Sequence, residues 1–195
     1  MRLVWFRVGL LLLVLAGCAP KPGELGPVWG EDVTGASYGR NFTLTGLDGR
    51  THTLADYHGK VLVLFFGYTH CPEVCPTTLY DLSQSIKRLG SHADKVQVLF
   101  ITVDPTRDTP AVLSSYVRAF DPAFGALYGN ARQTASTLAA FGAVARRHPA
   151  DAAGNYEVDH SAFVYVYDRQ GNLRLRLPFG QSADKMAHDI GLLLR

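Results

Sequence analysis

The uninterrupted apolar run Val61–Phe66 constrains the fold of this 195-residue chain more than any other segment. A short run of apolar residues that includes β-branched and aromatic members predicts a strand covered on both faces. Shortly after it, leucine and isoleucine recur at spacings of three and four, which predicts a helix over Pro76–Leu89. A buried strand that leads into an amphipathic helix indicates an α/β fold.

The remaining segments continue this alternation. Asn41–Thr45 and Arg50–Thr53 flank the turn sequence Leu47–Gly49 and predict a β-hairpin. The other predicted elements are a second buried strand at Val96–Val103, helices at Thr109–Phe120 and Ala131–Phe141, a hairpin of Ser161–Tyr167 with Asn172–Leu177, and a closing helix at Ser182–Leu194. This order predicts a thioredoxin-like α/β sandwich with an added N-terminal β-hairpin, over residues 41–195.

The N-terminus has the pattern of an export signal. The first 17 residues carry two arginines and then the apolar run Val8–Ala16, which is shorter than the roughly 20 residues of a membrane-spanning helix. The sequence Leu15-Ala16-Gly17-Cys18 resembles the bacterial lipobox, which implies cleavage before Cys18 and lipidation of its thiol. The alternative is an uncleaved membrane anchor that happens to end in cysteine. With either anchor we expect the domain outside the cytoplasm, on the periplasmic side in a Gram-negative bacterium.

Residues 18–40 contain three prolines and five glycines and predict a flexible tether that is anchored by its lipid.

The whole chain has a formal net charge of +2. Because the first 17 residues contribute two arginines and no acidic residue, the chain after Gly17 has equal numbers of basic and acidic side chains. No stripe of Lys and Arg with interleaved aromatics appears, so the sequence gives no case for a nucleic-acid partner.

Cys71 and Cys75 are the candidate functional pair. If Cys18 is acylated, they are the only free thiols of an exported domain, where unprotected thiol pairs tend to oxidise. Cys75 directly precedes Pro76, so we expect Cys75 at the N-cap of the helix, where the helix dipole lowers a thiol pKa. The pair can bind one metal ion or act as a redox switch. A fold-stabilising disulfide is an alternative, although so short a loop constrains the unfolded chain only modestly.

His160 is the candidate third ligand because it precedes a predicted strand that neighbours the strand leading to Cys71. The two loops should therefore meet beyond one end of the sheet, where ligands bind in open α/β folds. Two sulfurs and one imidazole suit Cu(I), and zinc with an open fourth position is chemically possible. His70 should point away from its neighbour Cys71. The remaining histidines are expected to be solvated or hydrogen-bonded: His52, His58, His92, His148 and His188.

Three motifs together resemble the Sco/SenC family: Gly67–Pro76, Val103–Pro110 and Val158–Ser161. The members of this family are membrane-tethered copper proteins with a thioredoxin fold that take part in cytochrome c oxidase assembly. The resemblance extends from about Asn41 to the C-terminus. The predicted lipid anchor differs from the transmembrane helix that many relatives use.

The resemblance implies a copper ion, as Cu(I) or Cu(II), bound by Cys71, Cys75 and His160. It also implies that Asp104 lies near the site, where it would either support the ligands without binding the metal or act as an occasional ligand. Arg107 and Asp108 would then hold the loop that carries Asp104.

Two functions compete on the sequence alone. In the first, a metallochaperone receives copper from an unidentified donor and delivers it to the dinuclear copper site of an oxidase subunit. In the second, a thiol-disulfide reductase keeps the copper-ligand cysteines of that subunit reduced, with Cys71 or Cys75 attacking the disulfide. The cysteine spacing is one residue longer than in thioredoxin-type exchangers, and Asp159–Ser161 stands where these proteins have a cis-proline. We therefore expect copper delivery.

Overall fold

A computed structural model describes residues 25–195 of the chain. The predicted signal peptide and the predicted lipidation site Cys18 lie outside the described residues. Among the helices of residues 25–195, none has both the length and the apolar character that a membrane crossing needs.

Within residues 25–195, ten strands form two sheets. In chain order the strands are β1 (Glu31–Asp32), β2 (Thr43–Gly46), β3 (Thr51–Thr53), β4 (Val61–Gly67), β5 (Val96–Thr102), β6 (Gly125–Tyr128), β7 (Ala145–Arg147), β8 (Val158–His160), β9 (Val164–Tyr167) and β10 (Leu173–Leu177). Eight of them form one sheet in the order β1-β10-β9-β4-β5-β6-β2-β3, while β7 and β8 pair as a separate two-stranded sheet. Strand β4 runs parallel to β5 and antiparallel to β9, which places it at the centre of the large sheet.

Four α-helices cover this sheet: α1 (Val74–Arg88), α2 (Pro110–Arg118), α3 (Ala131–Ala140) and α4 (Ala183–Leu192). Two short 3₁₀ helices occupy Leu54–Tyr57 and Gly90–Lys95. Helix α2 begins with a proline, and the side chain of Thr109 caps it by accepting a hydrogen bond from the Val112 N–H. The predicted α/β sandwich and its N-terminal hairpin of β2 and β3 are confirmed.

Strand β4 is fully buried because its side chains alternate between two apolar layers. Val61, Val63 and Phe65 pack into the layer that contains α1 and α4. The alternate residues Leu62, Leu64 and Phe66 pack into the layer on the opposite face. That layer also contains Phe141, which follows the last residue of α3. The prediction of a strand covered on both faces is therefore correct, and this strand delivers the chain to Cys71.

Several elements differ from the sequence prediction. Strands β1, β6, β7 and β8 were not predicted, because β1 is only two residues long and the others have little apolar alternation. The predicted strand Ser161–Tyr167 begins only at Val164, and His160 instead ends β8. Consequently His160 lies on a short hairpin beside the main sheet and not in a loop that leads directly into β9.

The described part of the predicted tether lies against the domain. The backbone N–H groups of Trp29 and Gly30 donate to the buried carboxylate of Asp189 at 3.0 and 2.8 Å. Two residues further on, β1 pairs with β10, and Glu31 bonds to Arg176. The segment from Trp29 to Asp32 is therefore held against the domain, because Asp189 supplies acceptors for backbone groups that a free tether would expose to water.

Candidate metal centre

Gly67, the last residue of β4, makes room for the sulfur of Cys75. A Cβ atom at this position would lie 2.5 Å from Cys75 Sγ and 2.7 Å from the ring of Phe100. Real side chains do not tolerate such distances, so the strand ends in the one residue that lets the sulfur sit against the sheet. The sequence motif contained this glycine, but its role becomes visible only from the packing.

Cys75 lies inside helix α1, which corrects the prediction that it caps the helix. The helix begins at Val74 with Glu73 as its N-cap residue, and the Thr77 N–H donates to the Glu73 carbonyl. Pro76 fits the first turn because no backbone N–H needs an acceptor within the helix there. Proline therefore indicated the first turn of the helix correctly, but not its first residue.

The two sulfurs have different environments. Cys75 is completely buried, whereas Cys71 is 9% exposed. The sulfur of Cys71 accepts a hydrogen bond from the Cys75 N–H at 3.4 Å. A hydrogen bond from the Cys75 thiol, together with His160 and the N–H groups of Cys75 and Glu73, lowers the pKa of Cys71 to about 4.

The pKa of Cys75 is raised, first because its thiol donates to the Cys71 sulfur and also because it is buried. The prediction that Cys75 is the thiol with the lowered pKa is therefore wrong. Cys71 lies just before the helix and receives the backbone N–H groups at its start, while Cys75 has already entered the first turn and faces the core.

His160 directs its Nε2 toward the sulfurs. Its Nδ1 lies 3.1 Å from the carbonyl oxygen of Ser161, and its Nε2 lies 3.4 Å from Cys75 Sγ. Because a carbonyl oxygen can only accept, Nδ1 donates to it, which leaves Nε2 as the ring nitrogen directed at the sulfurs and available to a metal ion. This is the arrangement of a metal-binding imidazole, whose second nitrogen is held by a backbone carbonyl.

The ligand atoms of Cys71, Cys75 and His160 all lie within 4.8 Å of one another. Within residues 25–195, no other three His, Cys, Asp or Glu side chains are grouped in this way. Thiolate sulfur is a soft ligand that favours Cu(I), and imidazole also binds copper well, so this donor set fits copper. The structure thus brings together the three residues that the sequence singled out.

His70 is not part of this group. Its side chain is exposed, and its Nδ1 lies 3.1 Å from the Thr69 hydroxyl. The other five histidines are solvated or hydrogen-bonded, as expected. His58 and His92 are exposed, while carboxylates pair with His52, His148 and His188.

Asp108 joins the cysteine loop to the end of β5. Its buried carboxylate accepts hydrogen bonds from the hydroxyls of Thr69 and Thr102, each at 2.6 Å, and from the Thr69 N–H at 3.1 Å. Thr69 lies two residues before Cys71, so these bonds fix the start of the loop that carries the first sulfur.

The carboxylate of Asp104 is occupied by other partners. It accepts from Arg107 Nε at 2.6 Å and from the Tyr156 hydroxyl at 2.9 Å, and it is not one of the three grouped ligands. Arg107 in turn lies 3.5 Å over the Tyr156 ring and donates to the Tyr156 carbonyl at 3.0 Å. Asp104 and Arg107 therefore hold the segment that leads into β8 and His160.

Tyr68 and Tyr156 are site residues that sequence reasoning missed. The buried Tyr68 hydroxyl accepts from the Val158 N–H at 3.3 Å, and its ring meets the His160 ring edge-on, with centroids 5.8 Å apart. Tyr68 follows Gly67 inside the cysteine motif, which was the available signal. Nothing in the sequence around Tyr156 indicated its bond to Asp104.

A thioredoxin-like domain with two thiols and an imidazole at one end of its sheet is the class that the fold and the site define. The SCO1/SenC family model matches residues 31–195, and the chain belongs to this family. The match starts at β1, about ten residues before the predicted start of the resemblance.

Individual relatives agree with this assignment. The chain is 34% identical over 167 residues to a SCO2-like protein of Rickettsia felis, covering 84% of this chain and 80% of the relative. The structure of Bradyrhizobium japonicum ScoI with copper bound is 37% identical with a TM-score of 0.73, covering 81% of this chain and 99% of that one. The solution structure of apo Sco1 from Thermus thermophilus is 33% identical with a TM-score of 0.77, covering 86% and 97%. These structures confirm the thioredoxin-like fold.

The sulfur environments predict that Cys71 reacts as a thiolate at neutral pH. The thiolate fraction grows as pH rises through the pKa, so alkylation of Cys71 in the reduced, metal-free protein, with both cysteines present, should stay near its maximum at pH 7. It should fall by half only near pH 4. The measurement is the rate of iodoacetamide labelling against pH, read by peptide mass spectrometry. The Cys71→Ser protein is the control, because its buried Cys75 should label slowly. A midpoint for Cys71 near the ordinary value of about 8.5 would contradict the assignment.

Proposed function

We propose that this protein binds copper through Cys71, Cys75 and His160 and delivers it to the dinuclear copper site of a cytochrome c oxidase subunit. The observation that carries the proposal is the convergence of these three ligand atoms within 4.8 Å, with His160 Nε2 3.4 Å from Cys75 Sγ. Membership of the SCO1/SenC family and the similarity to a copper-bound ScoI structure support the choice of copper.

The ligand chemistry suits a cargo that must be passed on. Cu(I) is satisfied by three soft ligands, so it needs no further protein group here. Cys75 is fully buried and fixed within helix α1, while Cys71, which is 9% exposed, and the half-buried His160 form the less buried side of the site. An incoming thiolate of the oxidase subunit can therefore replace the outer ligands one at a time, while Cys75 keeps the copper in place.

A second candidate function is reduction of a disulfide in the same oxidase subunit. The lowered pKa of Cys71 and the raised pKa of the buried Cys75 favour it, because exchange needs one accessible thiolate and one protected thiol. The Cys71 thiolate would attack one partner sulfur and release the other as a thiolate. Cys75 would then lose its proton and attack Cys71, leaving a Cys71–Cys75 disulfide and a fully reduced partner.

We place the protein outside the cytoplasm, anchored through a lipid on Cys18. The support is the basic start, the short apolar run Val8–Ala16 and the lipobox-like sequence that ends at Cys18. A copper donor upstream of this protein follows from the delivery role.

The copper proposal predicts that His160→Ala weakens Cu(II) binding and changes the thiolate-to-copper charge-transfer band. Loss of a ligand should lower copper affinity by at least roughly 10-fold, since substitution of a residue that only hydrogen-bonds to a metal ligand already costs about that much. Copper titration followed by absorption spectroscopy makes the measurement. His70→Ala is the matched control, because His70 adjoins Cys71 without belonging to the group. An unchanged titration and spectrum for His160→Ala would remove His160 from the site.

The two candidate functions predict different products with the same partner. If the protein delivers copper, the Cu(I)-loaded form should transfer its metal to the reduced, metal-free copper-binding fragment of the oxidase. If it acts as a reductase, its reduced, metal-free form should convert the oxidised fragment to the dithiol and become oxidised itself. Spectroscopy follows the copper, and mass spectrometry after thiol trapping follows the disulfides. Reduction without any metal transfer would reject the delivery role, and Cys71→Ser should abolish either reaction.

A further inference from the structure

The N-terminal segment joins the sheet at the same end as the metal centre. The strand registers form one row across four strands, in which Glu31 of β1 lies opposite Arg176, Arg176 opposite Tyr165, and Tyr165 opposite Leu64 of β4. Three strand spacings separate β1 from β4, which amounts to about 14 Å. Strand β4 continues from this row toward the cysteines.

The direction of β1 determines where the preceding chain runs. Strand β10 runs in the direction of β4, since both are antiparallel to β9, and β1 is antiparallel to β10. Residues before Glu31 therefore extend toward the metal-centre end of the sheet. Asp189 holds Trp29 and Gly30 there, and a Cβ at Gly30 would lie 2.5 Å from a methyl group of Leu177, so the chain path is tightly packed.

Two large aromatic side chains are exposed where this segment enters. Trp29 is 60% exposed and Phe179, just beyond β10, is 42% exposed. The backbone N–H of Trp29 and the side-chain amide of Gln181 both donate to Asp189. Because Phe179 lies two residues before Gln181, both aromatic residues are in segments that Asp189 holds. The ammonium group of Lys185 lies 4.3 Å from the Trp29 ring centroid.

We infer that Trp29 and Phe179 contact the surface of the bilayer to which the chain is anchored, so that the Cys71–Cys75–His160 centre opens toward the membrane. This inference rests on the proposed anchor at Cys18 and not on the copper function. Tryptophan is enriched at the membrane–water interface, where its ring lies at headgroup depth. Lys185 beside it supplies a cation for lipid phosphates.

The tether explains why two aromatic side chains are enough for this contact. The chain from Cys18 to Leu25 spans at most about 25 Å, so a lipid on Cys18 confines the domain to the neighbourhood of the headgroups. The lipid then supplies the affinity, and the patch only needs to orient the domain. A membrane-embedded partner would meet the metal centre near its own surface.

The test uses tryptophan fluorescence of the lipidated protein in vesicles. Cleavage before Cys18 removes Trp5, so Trp29 is the single tryptophan of the lipidated chain and serves as the reporter. The vesicles contain phosphatidylcholine with or without bromine atoms on the upper acyl chain, which quench only tryptophans at the interface. We expect Trp29 to lose most of its emission in brominated vesicles.

A matched control moves the reporter to the opposite end of the sheet. Trp29→Phe with Gln170→Trp places the tryptophan in the exposed turn between β9 and β10, where emission should not change. Phe179→Ser in the Trp29 reporter should weaken the quenching. Urea unfolding shows whether each variant is folded.

Absence of quenching at Trp29, equal quenching at both reporter positions, or failure of the chain to float with the vesicles would overturn the inference. Copper titration of the same sample in detergent is independent of orientation. A copper-binding protein without quenching would therefore reject the orientation alone, and quenching without copper binding would reject the proposed function alone.

Discussion

The burial of β4 between two apolar layers is the constraint on which the rest of the structure depends. Alternate residues of Val61–Phe66 fill opposite cores, so the strand cannot shift by one residue without exchanging the two sets of side chains. This fixed register places Gly67 against the Cys75 sulfur and begins the cysteine loop at a defined point. The metal centre is therefore positioned by the most buried element of the fold.

Polar contacts then fix the parts that hydrophobic packing leaves free. Asp108 ties the start of the cysteine loop to β5, and the bonds among Asp104, Arg107 and Tyr156 tie the approach to His160 to the same strand end. The cysteines and His160 come from segments far apart in the chain. Both segments are nevertheless held by hydrogen bonds to residues at the end of β5. This common support explains how a hairpin outside the main sheet can hold His160 Nε2 3.4 Å from Cys75 Sγ.

Sequence reasoning predicted what depends on strong local patterns and missed what depends on packing. The double burial of β4 and the paired cysteines were visible because an apolar run and a short spacing are local signals. The position of His160 was predicted from strand adjacency, although its strand β8 was not, since the hairpin lacks apolar alternation. The assignment of the lower pKa to Cys75 was wrong because a shift of one or two residues at a helix start decides which sulfur receives the backbone N–H groups. Asp104 was expected near the ligands, but its bond to Tyr156 joins residues 52 positions apart and has no sequence signal.

The central claim is that two thiolates and one imidazole bind a single copper ion, and X-ray absorption spectroscopy of the Cu(I)-loaded protein tests it most directly. We expect a copper shell of two sulfur neighbours and one nitrogen neighbour, with the nitrogen contribution lost in His160→Ala. A shell of sulfur alone in the unsubstituted protein, or a spectrum that His160→Ala leaves unchanged, would contradict the account.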